Sequence, residues 1–191
     1  MHKNIIFILT IAVATLSACY STNKFSSSDI SPLKGQKEVN VVINFSEMLV
    51  NNQPEESHIE YNTKDKNAEE TAQWLKEWNE DLRLRSYNLL INALDHHINK
   101  NGLLAGNHPN AEYTIYVKVK NINTGYFAGI MNKPSKIQSD VSFVRTGETT
   151  PFATISYNMP GLQLPYHVER IALSFKNLGY DLGRKISKNL E

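Results

Sequence analysis

The stretch "EYTIYVKVKNI" (residues 112–122) limits the possible folds more than any other segment. Tyr113, Ile115, Val117 and Val119 fall on one side of an extended chain, and Thr114, Tyr116, Lys118 and Lys120 on the other. Successive side chains of a strand point to opposite faces, so this strand has a dry face and a wet one. A sheet built on such a strand is antiparallel or mixed, with one side open to solvent, and needs an apolar layer against the dry side. The C-terminal "PYHVERIALSFKNLGYDLGRKISKNLE" supplies one. Val168, Ile171, Ala172, Phe175, Leu178, Leu182, Ile186 and Leu190 share an arc of about 120° on a helix, and Pro165 suits its first turn. Arg184, Lys185 and Lys188 sit near its end, where the helix dipole favours cations. Gly179 and Gly183 each cost about 1 kcal/mol inside a helix, which predicts a close approach to the sheet.

Three more segments complete the sheet. "KEVNVVINF" (37–45), "KIQSDVSFV" (136–144) and "FATISYNM" (152–159) are β-branched and short, and "RTGETTP" between the last two predicts a hairpin with a long loop. Residues 51–69 hold turn formers and charges and predict an exposed connection. A helical region follows from Glu69 to Lys100, closed by Gly102. It carries two stripes on nearly opposite sides: Trp74, Leu75, Trp78 and Leu82, then Leu84, Tyr87, Ile91, Leu94 and Ile98. One straight helix cannot turn both to a single sheet. Either the chain bends around Asn79–Ser86, or the Trp stripe packs elsewhere, under the 51–69 segment or against a partner. The order β-α-β-β-β-α predicts an α+β fold: an antiparallel or mixed sheet of about four strands with two main helices on one face.

The N-terminus "MHKNIIFILTIAVATLSAC" has a short basic head (His2, Lys3), an apolar core from Ile5 to Leu16, and the small residues Ser17 and Ala18. That is signal-peptide architecture, and the core is well short of the roughly 20 residues a spanning helix needs. Leu16-Ser17-Ala18-Cys19 resembles the lipobox of bacterial lipoproteins. The resemblance implies cleavage before Cys19, a thioether-linked diacylglycerol on its sulfur and often an amide-linked acyl chain such as palmitate on the new N-terminus. Two or three chains suffice for stable anchoring. It also implies a destination, because Tyr20 stands where an inner-membrane retention signal has aspartate: the outer membrane, facing the periplasm. Residues 1–18 are then the signal peptide, 19–36 a Ser-rich flexible tether, and 37–191 a single domain. An exported chain with a single cysteine has no disulfide framework. The order of elements in the mature chain resembles uncharacterised outer-membrane lipoprotein domains, which implies no activity.

Charge excludes one class of partner. The chain has 20 basic and 19 acidic residues, without the basic face of a nucleic-acid binder. Nine acidic and three basic residues fall within 55–81, which predicts a solvated acidic surface. Catalytic signatures are weak. Asp95-His96-His97 places adjacent histidines about 100° apart on a helix, lacking the i, i+4 spacing of a helical metal site. There is no G-x-S-x-G elbow, and "GYFAG" (125–129) lacks a phosphate-cradling pattern. The expectation is no catalytic residue, no cofactor and no metal.

Two candidate contact surfaces remain. One is the Trp74/Trp78 stripe, since tryptophan is enriched at interface hot spots. The other is the apolar cluster Tyr126, Phe127, Ile130 and Met131, with Lys133 and Lys136 as a basic rim suited to a protein partner or an anionic headgroup. The sequence therefore predicts a non-catalytic binding or assembly module, held to the membrane through Cys19 and working with an envelope protein. The alternatives are a small-molecule or lipid-binding module, with the apolar cluster at a cavity mouth, and an envelope hydrolase.

Overall fold

The computed structural model describes residues 25–128 and 131–191. Cys19, the rest of the lipobox and Ile130 lie outside the described residues. The chain folds as a mixed α+β domain. In order, β1 is Phe25–Ser28, β2 Glu38–Asn44, β3 Leu49–Val50 and β4 Gln53–Pro54; α1 is Glu55–Thr63, α2 Ala68–Lys76 and α3 Leu82–Ile98. Then come β5 (Leu104–Gly106), β6 (Tyr113–Asn123), β7 (Tyr126–Ala128), β8 (Met131–Lys133), β9 (Lys136–Arg145), β10 (Ala153–Pro160) and α4 (His167–Leu190).

The main sheet runs β1-β10-β9-β6-β2-β5, with β3 on β6 and β4 on β3. β6, β9, β10 and β1 are antiparallel neighbours, whereas β2 and β3 run parallel to β6, and β2 parallel to β5. The sheet is therefore mixed and has more strands than the four expected. The dry face carries Ile115, Val117, Val141, Phe143, Ile155 and Tyr157, in one core with Leu90, Leu94, Phe175, Leu178 and Leu182 of α3 and α4.

Several expectations are corrected. The segment expected as a flexible tether enters the domain: β1 pairs along β10, and Ile30 and Leu33 are buried. The connection expected over 51–69 is instead β4, α1 and the start of α2. Pro54 and the acidic first turn suit a helix start, and a capping box between Asn67 and Glu70 starts α2. The helical region is interrupted by a π-helical turn over Glu77–Asp81, which widens one turn and shifts the register of the buried stripe. After it the core stripe is Leu82, Ser86, Leu90, Ala93, Leu94 and Ile98, while Leu84 is exposed. Gly179 and Gly183 approach α3 rather than the sheet. A Cβ on Gly179 would lie 2.4 Å from the Leu90 carbonyl oxygen, and one on Gly183 2.8 Å from that of Leu94. α4 begins at His167, two residues after Pro165.

Candidate functional site

Part of the exposed apolar surface lies at the end of the sheet where β6 finishes and β9 begins. There β7 and β8 form a separate hairpin, pairing Tyr126 with Lys133 and Ala128 with Met131. Gly125 opens it at φ +63°, and a Cβ there would stand 2.3 Å from the Lys133 carbonyl oxygen, so only glycine fits. Tyr126, Phe127 and Met131 are 50%, 46% and 66% exposed. Lys133 and Lys136 are exposed beside them.

The base of the hairpin is firmly held. Thr124 N–H donates to Asn51 Oδ1 at 3.0 Å, and Gly125 N–H to Asn123 Oδ1 at 3.2 Å. Arg170, in the first turn of α4 and 5% exposed, donates from Nε to the Thr124 carbonyl at 2.8 Å. It also donates from Nη1 to the carbonyls of Leu164 and Pro165. A buried guanidinium needs such partners; here they join the hairpin to the loop before α4. That loop carries exposed Leu162 and Tyr166, the latter beside Leu84 and Arg85 of α3, and Gly161 N–H donates to the Ser135 carbonyl at 2.8 Å. Sequence reasoning missed Arg170, Leu162 and Tyr166. The signal was the apolar "PGLQLPY", too short for an element and too apolar for an ordinary loop.

A groove of about 1180 Å³ borders the hairpin. Its wall mixes amides such as Asn121 and Asn158 and the charged Lys136, Arg184 and Asp181 with apolar surface from Met159 and Tyr180. Asn121 donates to Asn52 Oδ1 at 3.0 Å and accepts from the Asn52 N–H at 3.1 Å. Among the described residues, buried Asn158 Oδ1 has no hydrogen-bond partner.

The Trp stripe behaves differently. Trp78 is fully buried and donates from Nε1 to Glu55 Oε1 at 2.7 Å, which also accepts from Arg83 at 3.1 Å. Trp74 is half-buried and stacks on it with centroids 5.7 Å apart. His58 of α1 lies 4.7 Å from the Trp78 ring, and His167 stacks on Trp74 at 6.5 Å. The pair packs under α1, so the expectation of Trp78 as a partner-facing side chain is corrected: its indole holds α1 to the helical region. Burial holds both His58 and His167 below the usual imidazole range, and the charge of His167 adds to the effect on His58.

His96 and His97 lie near the end of α3, and His97 lines the groove. Asp95 Oδ1 accepts from the Ala105 N–H at 2.7 Å, tying α3 to β5; burial raises this carboxyl above the usual range. His96 and His97 meet the Tyr180 ring edge-on at 5.7 and 5.5 Å. Among the described residues, no three His, Cys, Asp or Glu side chains are grouped to hold a metal ion, and no helix is long and apolar enough to cross a membrane.

The sequence matches no protein-family model and no curated relative. Two solved structures of PelC dodecamers from Paraburkholderia phytofirmans, one a point variant, are structurally similar at 11% and 12% identity. They have TM-scores of 0.42 and 0.41, cover 88% of this chain, and are themselves covered over 96% and 95% of their length. Similarity at this level carries neither fold detail nor function across.

Proposed function

We propose that this chain is a non-catalytic binding module of the cell envelope. It is tethered through lipidated Cys19 to the outer membrane, faces the periplasm, and works at the hairpin end of its sheet. The observation that supports this reading best is the exposed apolar set Tyr126, Phe127 and Met131, on a hairpin whose base buried Arg170 holds to the loop before α4. A small protein keeps such a surface exposed when something binds there. The groove alongside favours a second reading, a small-molecule or lipid-binding module, because a concave wall of apolar surface with a few convergent polar groups suits a bound ligand.

Photo-cross-linking in living cells from Asn123 and Gln138, at the groove beside the hairpin, tests the reading. A stoichiometric envelope protein captured from both positions supports the module. Its absence at normal expression, together with a rise in melting temperature on adding envelope metabolites or lipids, transfers support to the second reading.

A further inference from the structure

We propose that the open edge of β2 beyond Asn40 is a strand-addition site. It takes an extended segment of about five residues from a partner protein, with an acidic side chain turned towards α3. The site lies apart from the hairpin and stands whether or not that end has a partner.

The row of strands outside β2 is interrupted. β5 pairs with β2 only from Glu38 to Asn40, where it ends at Gly106. The chain then turns across the wet face, with His108 N–H donating to Asn40 Oδ1 at 3.1 Å, and so leaves the edge. The row resumes at β4, whose Pro54 is level with Leu49 of β3. Asn40 is level with Thr114 of β6 and Leu49 with Asn121, a separation of about 23 Å along that strand. β2 floors the first part of this gap. The turn closed by Met48 N–H on the Phe45 carbonyl floors the rest.

The backbone groups that face the gap follow from the pairing. The Lys37 carbonyl accepts from the Leu104 N–H at 2.9 Å, so Lys37 points towards β5, and alternate residues of a strand share a direction. Val39, Val41 and Ile43 therefore point the same way, and Asn40, Val42 and Asn44 towards β6. Past Gly106, the Val41 carbonyl and both backbone groups of Ile43 have no neighbouring strand among the described residues. Natural edges of this kind are blunted by lysine, proline or a bulge; this one presents Val42, Ile43 and Asn44, with Val42 38% exposed. Unpaired main-chain groups of this sort are the template for β-augmentation. The gap is closed at both ends, which fits a short segment rather than the long edge of another sheet.

The walls say what the segment carries. A cleft of about 640 Å³ opens over the edge, lined from the wet face by Val42, Asn44 and Tyr116 and from α3 by Arg83 and Tyr87. Residues of both faces line it, so it receives both side-chain rows of an added strand. Arg83 gives Nη2 to Glu55 and lies over the Phe45 ring at 5.1 Å. Among the described residues, its Nε and the Tyr87 hydroxyl are buried without a hydrogen-bond partner. Two donors to spare on the α3 wall match an aspartate or glutamate.

The test uses the full chain with its own N-terminus, isotope-labelled and purified in detergent; the probe is a displayed library of random linear peptides. Selection should enrich sequences with a central Asp or Glu and no central proline. A selected peptide should slow exchange of the Ile43 amide, which gains a partner, and leave that of Val42, which already faces β6, unchanged. Methylating one peptide amide nitrogen should weaken binding about 10-fold, and methylating the next, which points away, should not. Exchanging the acidic residue for lysine should weaken it about 5-fold. A library that yields no binder, or binders that leave Ile43 exchange unchanged, overturns the proposal, as does equal sensitivity to methylation at successive amides. Protection of Ile43 without peptide, rising with protein concentration, assigns the edge to a second copy and also overturns it.

Discussion

Replacing Gly179 by alanine should destabilise the domain, although alanine is the better helix former. The site lies where α4 crosses α3. A Cβ there would stand 2.4 Å from the Leu90 carbonyl oxygen and 3.0 Å from the Ala93 Cβ. An unstrained contact needs about 1 Å more, and the obstacle is main chain within a continuous helix, so α3 and α4 must separate as bodies. Overpacking of a dense interior typically costs 1–3 kcal/mol, and an obstacle that cannot rotate away places this site at the upper end. Helix propensity returns about 1 kcal/mol, leaving a net loss of about 2 kcal/mol. For a domain of this size that lowers the melting temperature by about 4–8 °C. Urea denaturation followed by far-UV circular dichroism measures the free energy directly. Gly183→Ala, with its nearest approach at 2.8 Å, should lose less. A Gly179→Ala protein as stable as the parent, or more so, would refute the close crossing.

The Trp pair and the histidines beside it give two further expectations. Trp78→Ala removes a fully buried indole and its bond to Glu55 and should cost about 3–5 kcal/mol; half-buried Trp74→Ala should cost clearly less, and equal losses in parallel urea titrations would contradict the packing described. Stability should also fall as the medium is acidified. His58 and His167 have folded pKa values below the unfolded value, so below about pH 6.5 the unfolded chain binds protons first. Their contribution is complete above that pH and is lost as pH drops towards the folded values. His58→Phe, which keeps an aromatic ring against Trp78, should flatten the slope of stability between pH 7 and 5; an unchanged slope would place the titration elsewhere.

What the sequence revealed follows the strength of its periodic signals. β6 and α4 bury alternate residues or a continuous stripe over many turns, so their pattern identified both. Of the eight apolar positions expected in α4, seven are buried and only Val168 is partly so. α1 escaped notice because none of its residues is buried; it has no apolar face to display. β1 escaped because an edge strand pairs through its backbone, which a Ser-rich stretch provides as well as any other. The π-helical turn explains why the two stripes of the helical region looked incompatible, since a widened turn changes the helical phase that a fixed 100° step assumes. At the hairpin end, the aromatic tip was visible in the sequence. Its supporting arginine lies 44 residues from Tyr126, so no local pattern connects the two.

The surfaces at that end rest on one stiff frame. Gly179 and Gly183 hold α4 against α3, and α4 begins at the turn containing Arg170, whose guanidinium sets the base of the hairpin. α3 continues back through the π-helical turn to Trp78, which sets α1. The position of the apolar tip and that of the acidic helix therefore depend on the same helix crossing, but their attachments differ in kind. The base of the hairpin is held by hydrogen bonds of main-chain, asparagine and arginine groups that do not titrate near neutral pH. α1 is held by the tilted contacts of His58 with Trp74 and Trp78 and by the bond from Trp78 to Glu55. Mild acid should therefore loosen α1 while leaving the tip in place. Hydrogen exchange at pH 5.5, corrected for the intrinsic rate, should accelerate over residues 55–63 and remain unchanged over 124–128. Equal acceleration in both segments would mean that the frame opens as a whole and that the two attachments are not independent.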